Sequence, residues 1–154
     1  NLGGLLDSNS SPWCWIAKIG DYGSGSRKTL FDSDGGANLA IKVSRSGSGA
    51  SSFELYDYTS HVYKLNQLTS NGIPSSGDTW VFLQDDGTNF RGGWHTEKPV
   101  SWAAISANNK VSSAGTSISN GVAGNVGAHN TGAAQFSAVK LYYEIFSTEQ
   151  HIGA

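Results

Sequence analysis

Carboxylates are the first residues to test for chemistry, and their spacing argues against catalysis. Hydrolysis of a glycosidic bond needs two carboxyl groups across it, about 5–9.5 Å apart. Glu54 and Asp57 are three positions apart, and on a regular strand such residues face opposite sides. Glu97, Glu144 and Glu149 stand alone in the chain. The histidines, His61, His95, His129 and His151, show no zinc-ligand spacing. No Gly-x-Ser-x-Gly elbow presents a nucleophilic serine. Gly23-Ser24-Gly25-Ser26-Arg27-Lys28 lacks the spacing and the strand–loop–helix setting of a phosphate loop. The expectation is a protein that is not an enzyme.

Binding chemistry is better represented. Sugar recognition needs an aromatic face against the ring C–H groups, and amides, carboxylates or Arg for the hydroxyls. Pockets for small ligands are mostly apolar with a few placed polar groups. Trp94, His95 and Trp102 flank the loop Glu97-Lys98-Pro99. Asp86, Asn89 and Arg91 fall in or beside one turn, and His129 and Asn130 in another. Together these eight form the candidate ligand-binding set, although both tryptophans could equally be core side chains. Trp80 opens a strongly apolar run and reads as core. Asp32, Asp34 and Asp85 are oxygen donors in turns. Calcium takes six to eight such oxygens and is the one cofactor they could hold, while Asp is also a standard turn former.

Net charge is −2, with 14% of residues charged. Nucleic-acid binders carry a basic footprint that is missing here. There is no polybasic membrane anchor, and no apolar run is long enough to span a bilayer as a helix. The single cysteine, Cys14, allows no disulfide within the chain; set between Trp13 and Trp15, it reads as a small buried hydrophobe. Abundant Gly, Ser, Thr and Asn with little charge suit a protein outside cells, on a cell surface or on a virion. The chain holds no Met, so Asn1 is not an initiator, and a processed chain or a fragment is expected. The triplet Asn9-Ser10-Ser11 is a glycosylation sequon that chance often produces.

Helical periodicity is nearly absent. Short β-rich runs alternate with Gly/Ser/Asn/Asp clusters, as in a sandwich or barrel. Strands are expected near Trp13–Lys18, Thr29–Asp32, Asn38–Ser44, Ser52–Tyr56 and His61–Leu65. Others are expected near Thr79–Gln84, Asn89–Trp94, Val100–Ser106, Ser117–Ser119, Asn125–Ala128 and Gln135–Ile145. Asp34-Gly35-Gly36, Gly47-Ser48-Gly49 and Asp85-Asp86-Gly87 mark hairpin turns. From Ser106 to Gly124 the pattern fades, and a long loop or weak edge strands are expected. Val139, Leu141, Tyr143 and Ile145 should share one strand face. Ser147-Thr148-Glu149-Gln150 has capping-box form, which predicts a short helical turn. A length of 154 residues suits one domain over residues 1–154.

The chain resembles a known superfamily in its last thirty residues. Asn125-Val126-Gly127-Ala128-His129-Asn130-Thr131-Gly132, followed by Gln135 through Gln150, is similar to a laminin-G-like or pentraxin-like ending. In those concanavalin A-like jelly rolls, a Phe-small-small unit leads into a long final strand with a Tyr and then a short helical turn. Phe146 stands where the family often has Leu. Trp80-Val81-Phe82-Leu83 with Asp86-Gly87 resembles the family's central hairpin, with Phe82 where a His is frequent. Thr29-Leu30-Phe31-Asp32 resembles its early strand. The family's calcium-binding acidic residues have no matching positions, and the Glu-x-Asp-x-x-Glu motif of related jelly-roll hydrolases does not occur.

The resemblance implies an all-β, antiparallel two-sheet β-sandwich of the concanavalin A-like jelly-roll kind, ending in a short helical turn. With the binding chemistry above, the leading expectation is a lectin-like module whose partner is a glycan or glycoconjugate. One alternative is a structural or decoration protein of a capsid, fibre or cell surface, with protein partners or self-assembly. The remaining alternative is a polysaccharide-active enzyme.

Overall fold

The computed structural model describes residues 12–20, 28–32, 39–45, 51–57, 61–115, 125–126, 140–147, 149 and 151–154. The described strands are β1 (Trp13–Gly20), β2 (Lys28–Asp32), β3 (Leu39–Arg45), β4 (Ser51–Asp57), β5 (Val62–Thr69), β6 (Asp78–Asp85), β7 (Asn89–His95), β8 (Lys110–Ala114), β9 (Asn125–Val126) and β10 (Lys140–Ser147). They form two five-stranded sheets, in the orders β10-β1-β6-β7-β8 and β5-β4-β3-β2-β9. All strand pairings are antiparallel. The architecture is a two-sheet β-sandwich.

The space between the sheets is filled from both. Trp13, Trp15, Ala17 and Ile19 of β1, Val81 and Leu83 of β6, and Phe90 and Trp94 of β7 meet Val43, Phe53, Leu55 and Leu65 of the second sheet. These are alternate positions on their strands, as a pleated sheet requires. Burial of each large side chain contributes on the order of 1.5–3 kcal/mol.

The first sheet is also covered on its other face. Cys14 and Ile16 of β1 and Phe82 of β6 form a second cluster with Ile105 and Ile152, bordered by Trp80, Trp102 and Ile145. This explains the unbroken apolar run Trp13-Cys14-Trp15-Ile16-Ala17: a strand buried on both sides does not alternate. The covering comes from the segment after β7 and from residues 151–154. Their backbones meet in a parallel bridge between Ser101 and Gly153, with Trp102 N–H donating to Gly153 O at 2.8 Å and Gly153 N–H to Val100 O at 3.0 Å.

Several expectations need correction. Val100–Ser106 is not a strand: residues 102–105 turn, with Ile105 N–H donating to Trp102 O at 3.2 Å, so the segment folds onto the sheet instead of pairing with it. A 3-10 turn follows at Ala107–Asn109, and Ser106 Oγ accepts from Asn108 N–H at its start. The poorly patterned stretch after Ser106 contains β8, one of the edge strands expected there. Leu141 and Ile145 do not share a row. A bulge shifts the register so that Leu141 opposes Ile19 of the inter-sheet core, while Ile145 opposes Ile16 of the outer cluster. At the chain's end, Ser147 Oγ accepts from Glu149 N–H at 3.0 Å; the rest of the expected helical turn, the strand at 117–119 and the turns at 34–36 and 47–49 lie outside the described residues.

Candidate functional site

The hairpin between β6 and β7 is built by its own carboxylates. Asp85 Oδ1 accepts from Gly87 N–H at 2.8 Å. Asp86 Oδ1 accepts from Thr88 N–H at 2.8 Å and from Asn89 N–H at 2.6 Å. Gly87 has φ +87°, the left-handed conformation that glycine adopts without steric cost. Asp86 Oδ2 lies 2.8 Å from Arg91 Nε. The Arg91 guanidinium in turn stands 4.8 Å from the Trp102 ring centroid. Lys110 Nζ lies 4.7 Å from the same centroid and donates to Trp102 O at 2.6 Å. Phe82 meets the Trp102 ring edge-on, at 6.3 Å and 85°.

Four expected site residues, Asp86, Asn89, Arg91 and Trp102, are therefore joined in one chain of contacts, and they are joined to each other. Trp94 is elsewhere: its ring is 7% exposed within the inter-sheet core, and Nε1 donates to Asn71 O at 3.0 Å. It offers no free face to a ligand. Trp80 is half-buried against the outer cluster, with Lys98 Nζ 5.9 Å from its centroid. Asp32 is the last residue of β2, opposite Lys42 and Asn125. Asp34, His129 and Asn130 lie outside the described residues. Among the described residues no group of three or more His, Cys, Asp or Glu gathers as metal ligands would.

A cleft opens where β7 ends. It is lined by His95, Glu97, Lys98, Pro99, Val100, Ser101, Ala104 and Ile105 and has a volume of about 130 Å³. Val100 is 73% exposed at its edge. Of the expected ligand-binding residues that are described, only His95 lines it. Pro99, Val100, Ala104 and Ile105 make an apolar wall. Ser101 Oγ is committed to Ala154 O at 2.7 Å.

The polar ends of the other three residues are available. Glu97 N–H donates to His95 Nδ1 at 3.0 Å. Glu97 O lies 3.1 Å from the same nitrogen, and with the backbone N–H donating to Nδ1 the ring proton is assigned to Nε2, which leaves Nε2–H as a donor. Among the described residues the Glu97 carboxylate has no ion-pair or hydrogen-bond partner, and the Lys98 ammonium has only the Trp80 ring. Elsewhere on this sheet Lys18 Nζ is 2.7 Å from Asp78 Oδ2 and holds that carboxyl below its usual range. The sequence marks the loop Glu97-Lys98-Pro99 as flanked by aromatic residues and as a candidate binding rim. Its role as a cleft wall needs the turn at 102–105, which has no local signature beyond the small pair Ala103-Ala104.

Cys14 is buried in the outer cluster. Burial pushes its thiol up to about 12, against the opposing effect of a hydrogen bond with the His151 backbone. A thiol so shifted holds its proton at neutral pH and is a poor nucleophile.

No protein-family model matches the chain, and no curated protein matches it. Among solved structures, the chain is similar to the CBM40 of the Ruminococcus gnavus IT-sialidase, determined bound to α2,6-sialyllactose. That similarity has a TM-score of 0.52 and 10% identity, and covers 90% of this chain and 77% of the other. At this identity the likeness is one of fold, a β-sandwich in both. The neighbour is a carbohydrate-binding module and not a catalytic domain.

Proposed function

We propose that this protein is a non-catalytic carbohydrate-binding module and that the cleft at residues 95–105 is its glycan site. The observation that carries the reading is the cleft's make-up: an apolar wall of Pro99, Val100, Ala104 and Ile105 beside the polar side chains of His95, Glu97 and Lys98, with the Glu97 carboxylate unpartnered among the described residues. Its volume is below the roughly 300–1,000 Å³ of sites for drug-sized ligands, which suits one ring of a longer glycan. The β-sandwich shared with a glycan-bound module supports the reading, and a concanavalin A-like jelly roll is the form of sandwich proposed. A setting outside cells or on a virion goes with it, supported by low charge and Gly-, Ser- and Asn-rich loops.

The test is a glycan array probed with the folded protein, with and without calcium, beside Ala104→Trp. Ala104 is exposed on the turn, so the bulkier side chain fills the cleft without entering the core. Binding by the parent and its loss in the variant is the expected result. Binding unchanged in Ala104→Trp would remove the cleft from consideration.

One observation favours a second reading, assembly with further copies of this chain. Among the described strands β5 lies at a sheet edge and exposes Val62, Tyr63 and Leu68 at 49%, 50% and 59%, and exposed apolar edges invite strand addition. A monomeric mass in solution that Leu68→Lys leaves unchanged rules this reading out.

A further inference from the structure

The polar side chains lining the cleft, His95, Glu97 and Lys98, define the ligand's charge as well as its size. This inference rests on the glycan reading above. A carboxylate accepts hydrogen bonds and donates none; an ammonium and an Nε2–H donate and do not accept. Glu97 therefore needs donors from a ligand, while Lys98 and His95 need acceptors. A hydroxyl is both, so adjacent hydroxyls on one sugar ring satisfy the set. A carboxylate or sulfate on the ligand satisfies only Lys98 and His95 and meets the charge of Glu97. The cations that could outweigh Glu97 are committed, Arg91 to Asp86 and the Trp102 ring and Lys110 to Trp102 O.

We propose that the cleft selects a neutral sugar ring, with adjacent hydroxyls donating to the Glu97 carboxylate and accepting from Lys98 Nζ and His95 Nε2, and that it disfavours rings bearing a carboxylate or sulfate. Glu97 is thus the residue that sets specificity, by charge. The bonds it makes are charge-assisted and stronger than those between neutral groups, and with a neutral ligand they depend little on salt.

The test is an array of neutral glycans and their sialylated and sulfated derivatives, followed by titration of the best hit into the parent, Glu97→Gln and Lys98→Gln. Both residues are exposed, so both variants should fold. The expected hits are neutral, their acidic derivatives bind no tighter, and each variant weakens binding roughly tenfold with little change between low and high salt. Preference for acidic glycans, tighter binding by Glu97→Gln and a steep loss with salt would overturn the charge selection while leaving the glycan site standing. A blank array from folded protein overturns the glycan reading and this inference together.

Discussion

A Cβ added to Gly92 would lie 2.8 Å from Phe53 Cδ1 and 2.9 Å from Phe53 Cβ, so the ring from the second sheet rests on the bare backbone of β7. Its neighbour plays the same part on the opposite face, where a Cβ on Gly93 would meet Asn109 O at 2.7 Å and Phe82 Cζ at 3.0 Å. One glycine admits the core and the next admits the covering segment. Gly92→Ala and Gly93→Ala should each lower stability by about 1–3 kcal/mol, as overpacking does, with Gly93→Ala the more severe because its obstacle is backbone. Urea denaturation measures both; two variants as stable as the parent would refute the close approach.

Gln84 holds residues 151–152 to the outer face. Its Nε2 donates to Ile152 O at 2.9 Å, and its Oε1 accepts from Ile152 N–H at 3.0 Å and His151 N–H at 3.3 Å. Gln84→Leu removes these three bonds, at about 0.5–1.5 kcal/mol each. The expected outcome is faster hydrogen exchange at Ile152 and faster labelling of Cys14 by a thiol reagent, since that segment helps to cover the thiol. Unchanged rates for both would show that Gln84 is not the clamp.

The Cys14 thiol predicts an alkaline weakness. It titrates near 12 folded, against an ordinary 9.0. Below about pH 9 both states are protonated and nothing is lost. Above it only the unfolded chain ionises, so stability falls as pH rises toward 12, by up to about 1.4 kcal/mol per pH unit. Cys14→Ala should show a shallower decline. Parallel pH profiles for parent and variant would contradict the shift.

The Asp85–Asp86 turn should be indifferent to calcium. Asp85 Oδ1 and both oxygens of Asp86 are already engaged by turn amides and Arg91. Calcium addition or chelation should leave the β6–β7 amide resonances in place. Asp86→Ala, by contrast, removes bonds to a charged acceptor worth about 1.5–3 kcal/mol each and lowers the thermal midpoint. Calcium-dependent shifts confined to this hairpin would reverse the assignment.

Thr79 is 1% exposed, and among the described residues its Oγ1 has no hydrogen-bond partner. Thr79→Val exchanges a stranded hydroxyl for a methyl of similar shape, and a gain of about 1 kcal/mol is expected. A loss of stability on urea denaturation would show that the hydroxyl is satisfied in solution.

Much of the sandwich can be read from residue order, because strand period and turn chemistry are local. Asp85-Asp86-Gly87 marks its hairpin by composition alone, and the Asp86–Arg91 pair lies within reach of that same turn. The run Trp13 to Ala17 even announces a strand covered on both sides. The strand expected at Val100–Ser106 fails for an equally physical reason. Val100 and Trp102 mimic a period of two, but Trp102 and Ile105 sit three apart on a turn, and only packing against Phe82 distinguishes the two patterns.

The sequence by itself determined most of the strands and the β6–β7 hairpin, since each depends on neighbours along the chain. Tertiary structure alone decided which polar residues are spent on the fold. Gln84 reaches Ile152 across 68 positions, Trp94 finds Asn71 across 23, and Arg91 and Lys110 converge on Trp102. Residue type says that a side chain can bind a ligand. Only the partners that burial and register bring to it decide whether it is still free to do so, as the Glu97 carboxylate is among the described residues.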